Sequence, residues 1–204
     1  MSAPITSFLT IASVVFTLEG CGRNLVQSYT REYTCIGQNF QLTTYPRRFI
    51  VNHENCDTKY PFDMIMDWQT KPSLVYTAAK AEEYYTIVML KPVKYYETLE
   101  FDIHWMEMNV RGYDLAENKW QEASTVSEYL GPTLMFNKFG TEVFQFLIYQ
   151  QERPQFTTES YCTPRNRIRF NLLEYFKRQP IQFEGPIVGL QIRIDYNREV
   201  DKIN

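Results

Sequence analysis

A run of seven residues without a charge, residues 84–90, constrains the fold of this chain more than any other stretch. The run is Tyr-Tyr-Thr-Ile-Val-Met-Leu, and its aromatic and β-branched side chains favour extended backbone. A strand with one face in water alternates apolar and polar residues, whereas a nearly continuous apolar strand is buried on both faces. The sequence therefore predicts a central strand with a packed layer on each side.

Further segments have the composition of strands, namely residues 48–51, 73–76, 99–110, 143–149 and 188–194. Successive side chains of a strand point to opposite faces. Strict alternation would divide the longest segment between two faces, with Phe101, Ile103 and Trp105 on one and Asp102, His104, Met106 and Met108 on the other.

One late segment, residues 171–178, is predicted to be helical. Asn171 can cap its first turn, Glu174 follows three residues later, and Lys177 and Arg178 suit the negative end of the helix dipole. Pro180 then stops the helix. Many strands with one late helix predict a β-rich α+β domain or a β-sandwich.

The chain has 204 residues, enough for one domain with a substantial core and short for two. We find no repeat and no Gly/Ser linker that would divide it. Its 21 basic and 24 acidic residues give a net charge of −3 without a long run of one sign. Since nucleic-acid binding needs a clustered basic surface, we expect no nucleic-acid partner.

The first twenty residues are predicted to form a secretory signal. Residues 8–18 are uncharged and largely apolar, a length that suits a signal and is short for a bilayer span. The alternative is a buried N-terminal strand of a cytosolic protein. The signal interpretation assigns residues 1–20 to the signal peptide and residues 21–204 to a single secreted domain, with no membrane span in the mature chain.

The four cysteines are Cys21, Cys35, Cys56 and Cys162. An even number beyond the predicted signal favours two disulfides in an oxidising compartment, and the sequence leaves three pairings open. We expect Cys162 to pair with one of the first three and the remaining two to pair with each other. The alternatives are reduced thiols, or a zinc site at His53 and Cys56, which lacks a compact second pair of ligands.

Catalytic motifs are absent from the sequence. It has two histidines, and it contains no Gly-x-Ser-x-Gly elbow, His-Glu-x-x-His pair, Walker loop or dinucleotide fingerprint. We therefore predict a non-enzymatic protein without cofactor or metal. Solvated strand ends explain the carboxylates of Glu97, Glu100 and Asp102, and a solvated strand face explains the alternating Arg165, Arg167 and Arg169, for which an anion site is the alternative.

Four stretches, residues 85–92, 103–112, 128–151 and 169–191, resemble motifs of the phosphatidylethanolamine-binding family in family order. They resemble the strand that enters the Asp-Pro-Asp-x-Pro motif, the His-His strand, the Tyr-x-Gly-Pro loop with its Gly-Thr and following strand, and the late helix with the Pro-Val-Ala-Gly strand. The resemblance covers about residues 72–196 and suggests a divergent member. It implies two packed, mainly antiparallel sheets with peripheral helices, and a pocket for an anionic head group at one end of the larger sheet.

The resemblance also places the ligand-binding residues, with exchanges at several of them. The matching positions are Lys91, Pro92, His104, Gly131, Pro132, Glu142 and Phe144. His104, the first Pro and the Gly-Pro loop are retained. Lys91 stands where the family has Asp, Glu142 where it has His, and Phe144 where it has Tyr.

These exchanges predict a remodelled and degenerate anion pocket. A Lys91–Glu142 pair would largely cancel its own charge and could fill the site, and Phe144 offers no hydroxyl donor. His104 is either a ligand contact or a satisfied histidine on a half-buried strand. We therefore expect no phosphate binding of the family type.

Large apolar side chains occupy residues 134–139, where the family has a Pro- and Gly-rich loop. They either fold back as a plug over a closed pocket, which we favour, or form an exposed contact surface for a partner or lipid. Two functions follow. The first is a small-ligand or lipid-binding protein with an altered pocket for a small anionic ligand. The alternative is an extracellular protein-interaction or protease-inhibitor domain with a vestigial pocket.

Overall fold

The computed structural model describes residues 31–93, 100–120, 122–134, 139–155 and 167–197. The strands of these residues are β1 (Phe40–Thr43), β2 (Ile50–Val51), β3 (Thr58–Pro61), β4 (Ser73–Tyr76), β5 (Tyr84–Pro92), β6 (Glu100–Arg111), β7 (Ser124–Ser127), β8 (Thr141–Gln151), β9 (Phe170–Asn171) and β10 (Phe183–Asp195). The helices are α1 (Arg31–Thr34), α2 (Gly112–Glu117) and α3 (Leu172–Arg178), with a 3₁₀ helix at Phe62–Trp68.

The strands form two sheets. The larger sheet has the order β3-β10-β8-β5-β6-β7, and β9 pairs with the beginning of β6. Its neighbouring strands are antiparallel except for β3 and β10, which run parallel. The smaller sheet has the order β2-β1-β4 and is antiparallel throughout. The predicted fold class, a β-rich α+β domain of two packed, mainly antiparallel sheets with peripheral helices, is confirmed.

The larger sheet is buried on both faces. A first hydrophobic cluster lies between the two sheets and includes Leu42 of the smaller sheet with Ile87 and Met89 of β5. A second cluster covers the opposite face, where Val88 and Leu90 of β5 pack with the side chains of α3. Successive residues of β5 therefore enter different cores, as the uncharged run predicts.

The late helix begins where its sequence predicts. The Asn171 side chain accepts a hydrogen bond from the Glu174 backbone N–H at 2.9 Å, and the helix ends at Arg178. This bond satisfies one of the donors that the first turn leaves without a partner. The strand prediction for residues 73–76 is also confirmed. Strands β1, β3, β7 and β9 were not predicted, because each is a short segment of two to four residues.

The strict alternation predicted for β6 is wrong. Met89 pairs with Trp105 but Leu90 pairs with Ile103, so the register shifts by one residue at His104. An extra residue of this kind is a β-bulge, and it changes the face to which the following side chains point. Ile103 consequently lies in the second cluster and Trp105 in the first.

A disulfide joins Cys35 to Cys56, which are 21 residues apart. Both cysteines are buried in the first cluster, and the Cys56 Sγ accepts a hydrogen bond from the Gln191 backbone N–H at 3.2 Å. The bond holds the segment before β1 against the turn before β3. Cys21, Cys162 and the predicted signal at residues 1–20 lie outside the described residues, so the pairing of Cys162 stays a prediction.

None of the helices in the described residues has the length and apolar character needed to cross a membrane. Within the same residues, no three His, Cys, Asp or Glu side chains come together in a way that could hold a metal ion.

Replacing both bonded cysteines, Cys35→Ala with Cys56→Ala, should lower the free energy of unfolding by about 3 kcal/mol, because the cross-link restricts the unfolded chain. Urea unfolding under non-reducing conditions measures the loss. Reduction of the wild-type protein should move its midpoint toward that of the variant. An unchanged midpoint in the variant would show that the bond contributes nothing to stability.

Candidate functional site

Three strands bring opposite charges together at one end of the larger sheet. Lys91 of β5 lies directly across from Asp102 of β6, and its Nζ is 2.7 Å from the Asp102 Oδ2. The same Nζ is 3.5 Å from the Glu142 Oε1 at the beginning of β8. We call these three residues the Lys91 cluster. The Glu142 side chain is 11% exposed and those of Lys91 and Asp102 are each 21% exposed, so the contacts are largely shielded from water.

The charges of the Lys91 cluster are satisfied within the protein. Burial by itself would lower the pKa of Lys91, but the hydrogen bond to Asp102 and the charge of Glu142 outweigh it and raise that pKa. The ammonium therefore stays protonated at neutral pH. One cation faces two carboxylates, so the cluster offers an incoming anion no net attraction.

His104 is held beside the Lys91 cluster by hydrogen bonds to Leu130. Its Nδ1 lies 2.7 Å from the Leu130 carbonyl oxygen, and the Leu130 backbone N–H donates in return to the His104 carbonyl at 2.7 Å. The imidazole meets the ring of Phe144 edge-on, with centroids 5.0 Å apart. Burial lowers the pKa of His104, the Leu130 hydrogen bond opposes the shift, and the positive charge of Lys91 adds to it. At neutral pH the ring is therefore mainly neutral, and because a carbonyl oxygen only accepts, the Nδ1–H donates the hydrogen bond to Leu130.

The Gly131–Pro132 segment is anchored to the end of the 3₁₀ helix. A Cβ atom on Gly131 would lie 2.4 Å from the Trp68 carbonyl oxygen, so only glycine fits there. The Gln69 Nε2 donates to the Pro132 carbonyl at 2.8 Å, and the Tyr129 hydroxyl donates to the Trp68 carbonyl at 2.7 Å. These contacts position Leu130 for its bonds to His104.

The structure therefore brings most of the predicted site residues to one place. Lys91, Glu142, His104 and Phe144 lie together, and the predicted Lys91–Glu142 contact is present. Pro92 is half-buried next to Lys91 and pairs with Phe101. Gly131 and Pro132 act on the site indirectly, because their contacts position Leu130, which is hydrogen-bonded to His104.

Two members of the site were missed. Asp102 was interpreted as a solvated carboxylate, yet it makes the shorter bond to Lys91. The sequence signal for Asp102 was its charge, opposite to that of Lys91, near the beginning of the predicted strand that follows Lys91. Tyr196 is the second, and it lies near Glu142. Burial raises the pKa of the Tyr196 hydroxyl, and the negative charge of Glu142 raises it further.

The predicted strand face of arginines is also wrong for the described residues. Residues 167–169 form a turn, and Arg165 lies outside the described residues. The Arg167 guanidinium donates to the Glu128 carbonyl at 2.8 Å, and the Arg169 backbone N–H donates to the Asp102 Oδ1 at 3.3 Å. Both residues thus help to hold the segments around the Lys91 cluster.

Comparison with known proteins supports the fold. No family model and no curated protein sequence matches this chain. Among solved structures, it is similar to a phosphatidylethanolamine-binding protein from Plasmodium vivax, with a TM-score of 0.54 and 14% identity over 78% of this chain and 87% of that one. It is also similar to a carboxypeptidase Y inhibitor complexed with its cognate proteinase, with a TM-score of 0.52 and 13% identity over 76% and 82% of the two chains.

These likenesses define the class of fold. The two-sheet architecture is that of the phosphatidylethanolamine-binding proteins, as the sequence motifs predict. Identities of 13% and 14% show the fold alone, so what this chain binds has to be inferred from its own residues.

We predict that the wild-type protein does not bind phosphoethanolamine, because the Lys91 cluster is closed by its own carboxylates. The double variant Asp102→Asn with Glu142→Gln keeps the shapes of the side chains and removes both negative charges. It should gain phosphoethanolamine affinity of about tenfold or more, since a hydrogen bond to a charged group contributes roughly 1.5–3 kcal/mol. Isothermal titration calorimetry measures both proteins.

The triple variant that adds Lys91→Met provides the control, and it should lose the gained affinity. Micromolar binding by the wild-type protein that Lys91→Met abolishes would show that the cluster is open to anions.

His104 should make stability depend on pH. Its folded pKa is lowered, so the unfolded chain takes up a proton at higher pH than the folded one does. This contribution to stability is complete above the unfolded pKa of about 6.5 and is lost as the pH falls toward the folded pKa. Urea unfolding at pH 7.5 and 5.5 should show a smaller loss for His104→Gln than for the wild-type protein. Equal losses would contradict a neutral, buried His104.

Proposed function

We propose that this chain is a secreted, non-enzymatic protein-interaction domain of the inhibitor type, with a vestigial anion pocket. The observation that supports this most is the state of the Lys91 cluster. Its cation is held by Asp102 at 2.7 Å and Glu142 at 3.5 Å, and neighbouring His104 donates to the Leu130 carbonyl. The groups that would bind an anionic head group are therefore occupied by partners from the same chain.

Apolar side chains are exposed on the chain segments that flank this closed site in the sequence. We call them the apolar rim, and they are Leu130, Leu134, Phe139 and Ile168. The Phe139 side chain is 79% exposed and that of Ile168 is 65% exposed. Such exposure at several neighbouring positions is a feature of contact surfaces, because it costs free energy in an isolated protein.

Backbone contacts tie the apolar rim to the site. Leu130 is bonded in both directions to His104, as described above. Ile168 lies between Arg167, whose carbonyl accepts from the Ile103 N–H at 2.8 Å, and Arg169, which donates to Asp102. Phe139 precedes β8, the strand that provides Glu142. From these contacts we infer that a partner that covers the rim also covers the Lys91 cluster.

Residues 134–139 were predicted either to plug the pocket or to form an exposed contact surface. Residues 135–138 lie outside the described residues, but Leu134 and Phe139 on either side of them are exposed. For these two residues the predicted plug is wrong, and the alternative of a contact surface is supported. The small-ligand or lipid hypothesis needs an attractive anion pocket, which the Lys91 cluster does not offer.

We propose that the protein acts outside the cell. The Cys35–Cys56 disulfide is of a kind that persists in oxidising compartments. A structurally similar protein acts as an inhibitor of carboxypeptidase Y, and this supports inhibition by surface contact on the same fold.

The purified protein should slow peptide hydrolysis by a carboxypeptidase, and carboxypeptidase Y is the first enzyme to assay. Ile168→Ser and Phe139→Ser should each raise the inhibition constant about tenfold or more, since a buried large apolar side chain contributes roughly 1.5–3 kcal/mol. Ile50→Ser is the matched control, because Ile50 is also exposed but lies in β2 of the smaller sheet. It should leave the inhibition constant unchanged.

Two outcomes would contradict this proposal. One is the absence of inhibition across a set of carboxypeptidases. The other is binding to phosphatidylethanolamine vesicles that Ile168→Ser abolishes and Ile50→Ser does not, which would identify the apolar rim as a lipid-binding surface.

A further inference from the structure

A second concave site lies at one end of the smaller sheet, between β4 and the segment that follows α2. It has a volume of about 200 Å³. Its lining residues are Tyr45, Lys71, Pro72, Ser73, Asn118 and Trp120. We call it the Trp120 groove. It shares no lining residue with the Lys91 cluster or the apolar rim, so it is a separate site.

Stacked indole rings form one wall of the Trp120 groove. Trp120 stacks on Trp105, with centroids 5.4 Å apart and ring planes 20° apart. Trp105 is fully buried, and its Nε1 donates to the Glu107 Oε1 at 3.0 Å. The buried ring therefore holds Trp120 in place, and Trp120 offers a flat, rigid surface for a planar group.

A cation lies over this wall. The Lys71 Nζ is 5.4 Å from the centroid of Trp105 and 5.6 Å from that of Trp120, within the range of cation–π attraction. Its side chain is 49% exposed. The ammonium is thus positioned beside the groove and remains accessible from solvent.

Lys71 is neutralised far less completely than Lys91. Its ion-pair distance to the Glu107 Oε1 is 3.8 Å, and that carboxylate already accepts bonds from Trp105 and, through Oε2, from Thr125 at 2.7 Å. A separation of 3.8 Å is too long for a hydrogen bond. No described residue accepts a hydrogen bond from the Lys71 ammonium, so its three N–H donors are available to a ligand.

The other polar side chains of the groove can also act as donors. The Asn118 Oδ1 accepts from the Leu74 backbone N–H at 3.0 Å, and the Asn118 amide nitrogen donates to none of the described residues. Ser73 adds a hydroxyl. Of the described residues that line the groove, none is acidic. A ligand that complements this lining presents acceptors, and negative charge suits it best.

We propose that the Trp120 groove binds a small organic anion, a carboxylate on a planar apolar body. The carboxylate accepts hydrogen bonds from Lys71 and Asn118, and the planar body lies on the face of Trp120 next to Tyr45 and Pro72. The volume suits one ring with its acidic group, since a protein cavity of about 150 Å³ holds benzene. This site is independent of the proposed protein contact at the apolar rim.

Benzoate is the probe, and benzamide is its uncharged match of nearly the same shape. Nuclear magnetic resonance titration of the full chain, together with tryptophan fluorescence, should show benzoate binding with shifts at Lys71, Asn118 and the Trp120 indole. Lys71→Met keeps the aliphatic stem and removes the charge. It should weaken benzoate binding about tenfold or more, the effect of one charge-assisted hydrogen bond, and leave benzamide binding nearly unchanged.

Lys59→Met is the matched control, because Lys59 is a similarly exposed lysine whose ion pair, with Asp195, lies at the far edge of the larger sheet. It should not change benzoate binding. Trp120→Leu should weaken benzoate and benzamide alike.

Absence of benzoate binding to the wild-type protein, or equal binding by wild type and Lys71→Met, would overturn the proposal. Equal affinity for benzoate and benzamide would do so too, since it would mean that charge is not recognised.

Discussion

The larger sheet has apolar side chains on both faces, and the rest of the fold follows from the need to remove both faces from water. The smaller sheet covers one face and α3 covers the other. Since β5 and β8 lie in the middle of this arrangement, their central residues have no access to solvent. Charged side chains can therefore lie only near the ends of these strands. This constraint puts Lys91 and Glu142 at the same end of the sheet.

A single extra residue in β6 links the two sites. The register shift at His104 turns both His104 and Trp105 toward the first cluster, where Phe144 and Trp120 contact them. A regular strand would have directed one of the two side chains to the opposite face. His104, which lies beside the Lys91 cluster, and Trp105, which packs against Trp120 of the groove, are thus consecutive residues of one strand.

The two lysines at these sites show how partner geometry decides what a cation can do. Lys91 is shielded and held at 2.7 Å by Asp102 with Glu142 nearby, so its charge is used within the fold. Lys71 is half-exposed and 3.8 Å from Glu107, which has other donors. Removing an ion from water and fixing its position costs free energy. For Lys91 this cost is offset by the ion pairs within the protein. The cation of the Lys91 cluster is therefore bound within the fold, whereas that of the Trp120 groove remains accessible to solvent.

The sequence by itself determined the doubly buried strand, the late helix with its Asn171 cap and the contact between Lys91 and Glu142, because uncharged runs, capping residues and charge exchanges are local or motif-level signals. The tertiary structure decided the rest. Asp102 joined Lys91 through the register of two strands, and the groove beside Trp120 formed from segments far apart in the chain. Residue spacing places opposite charges at the ends of two predicted strands, but it does not pair Lys91 with Asp102 or form the groove, because strand register and loop packing depend on contacts that form only when both sheets have been assembled.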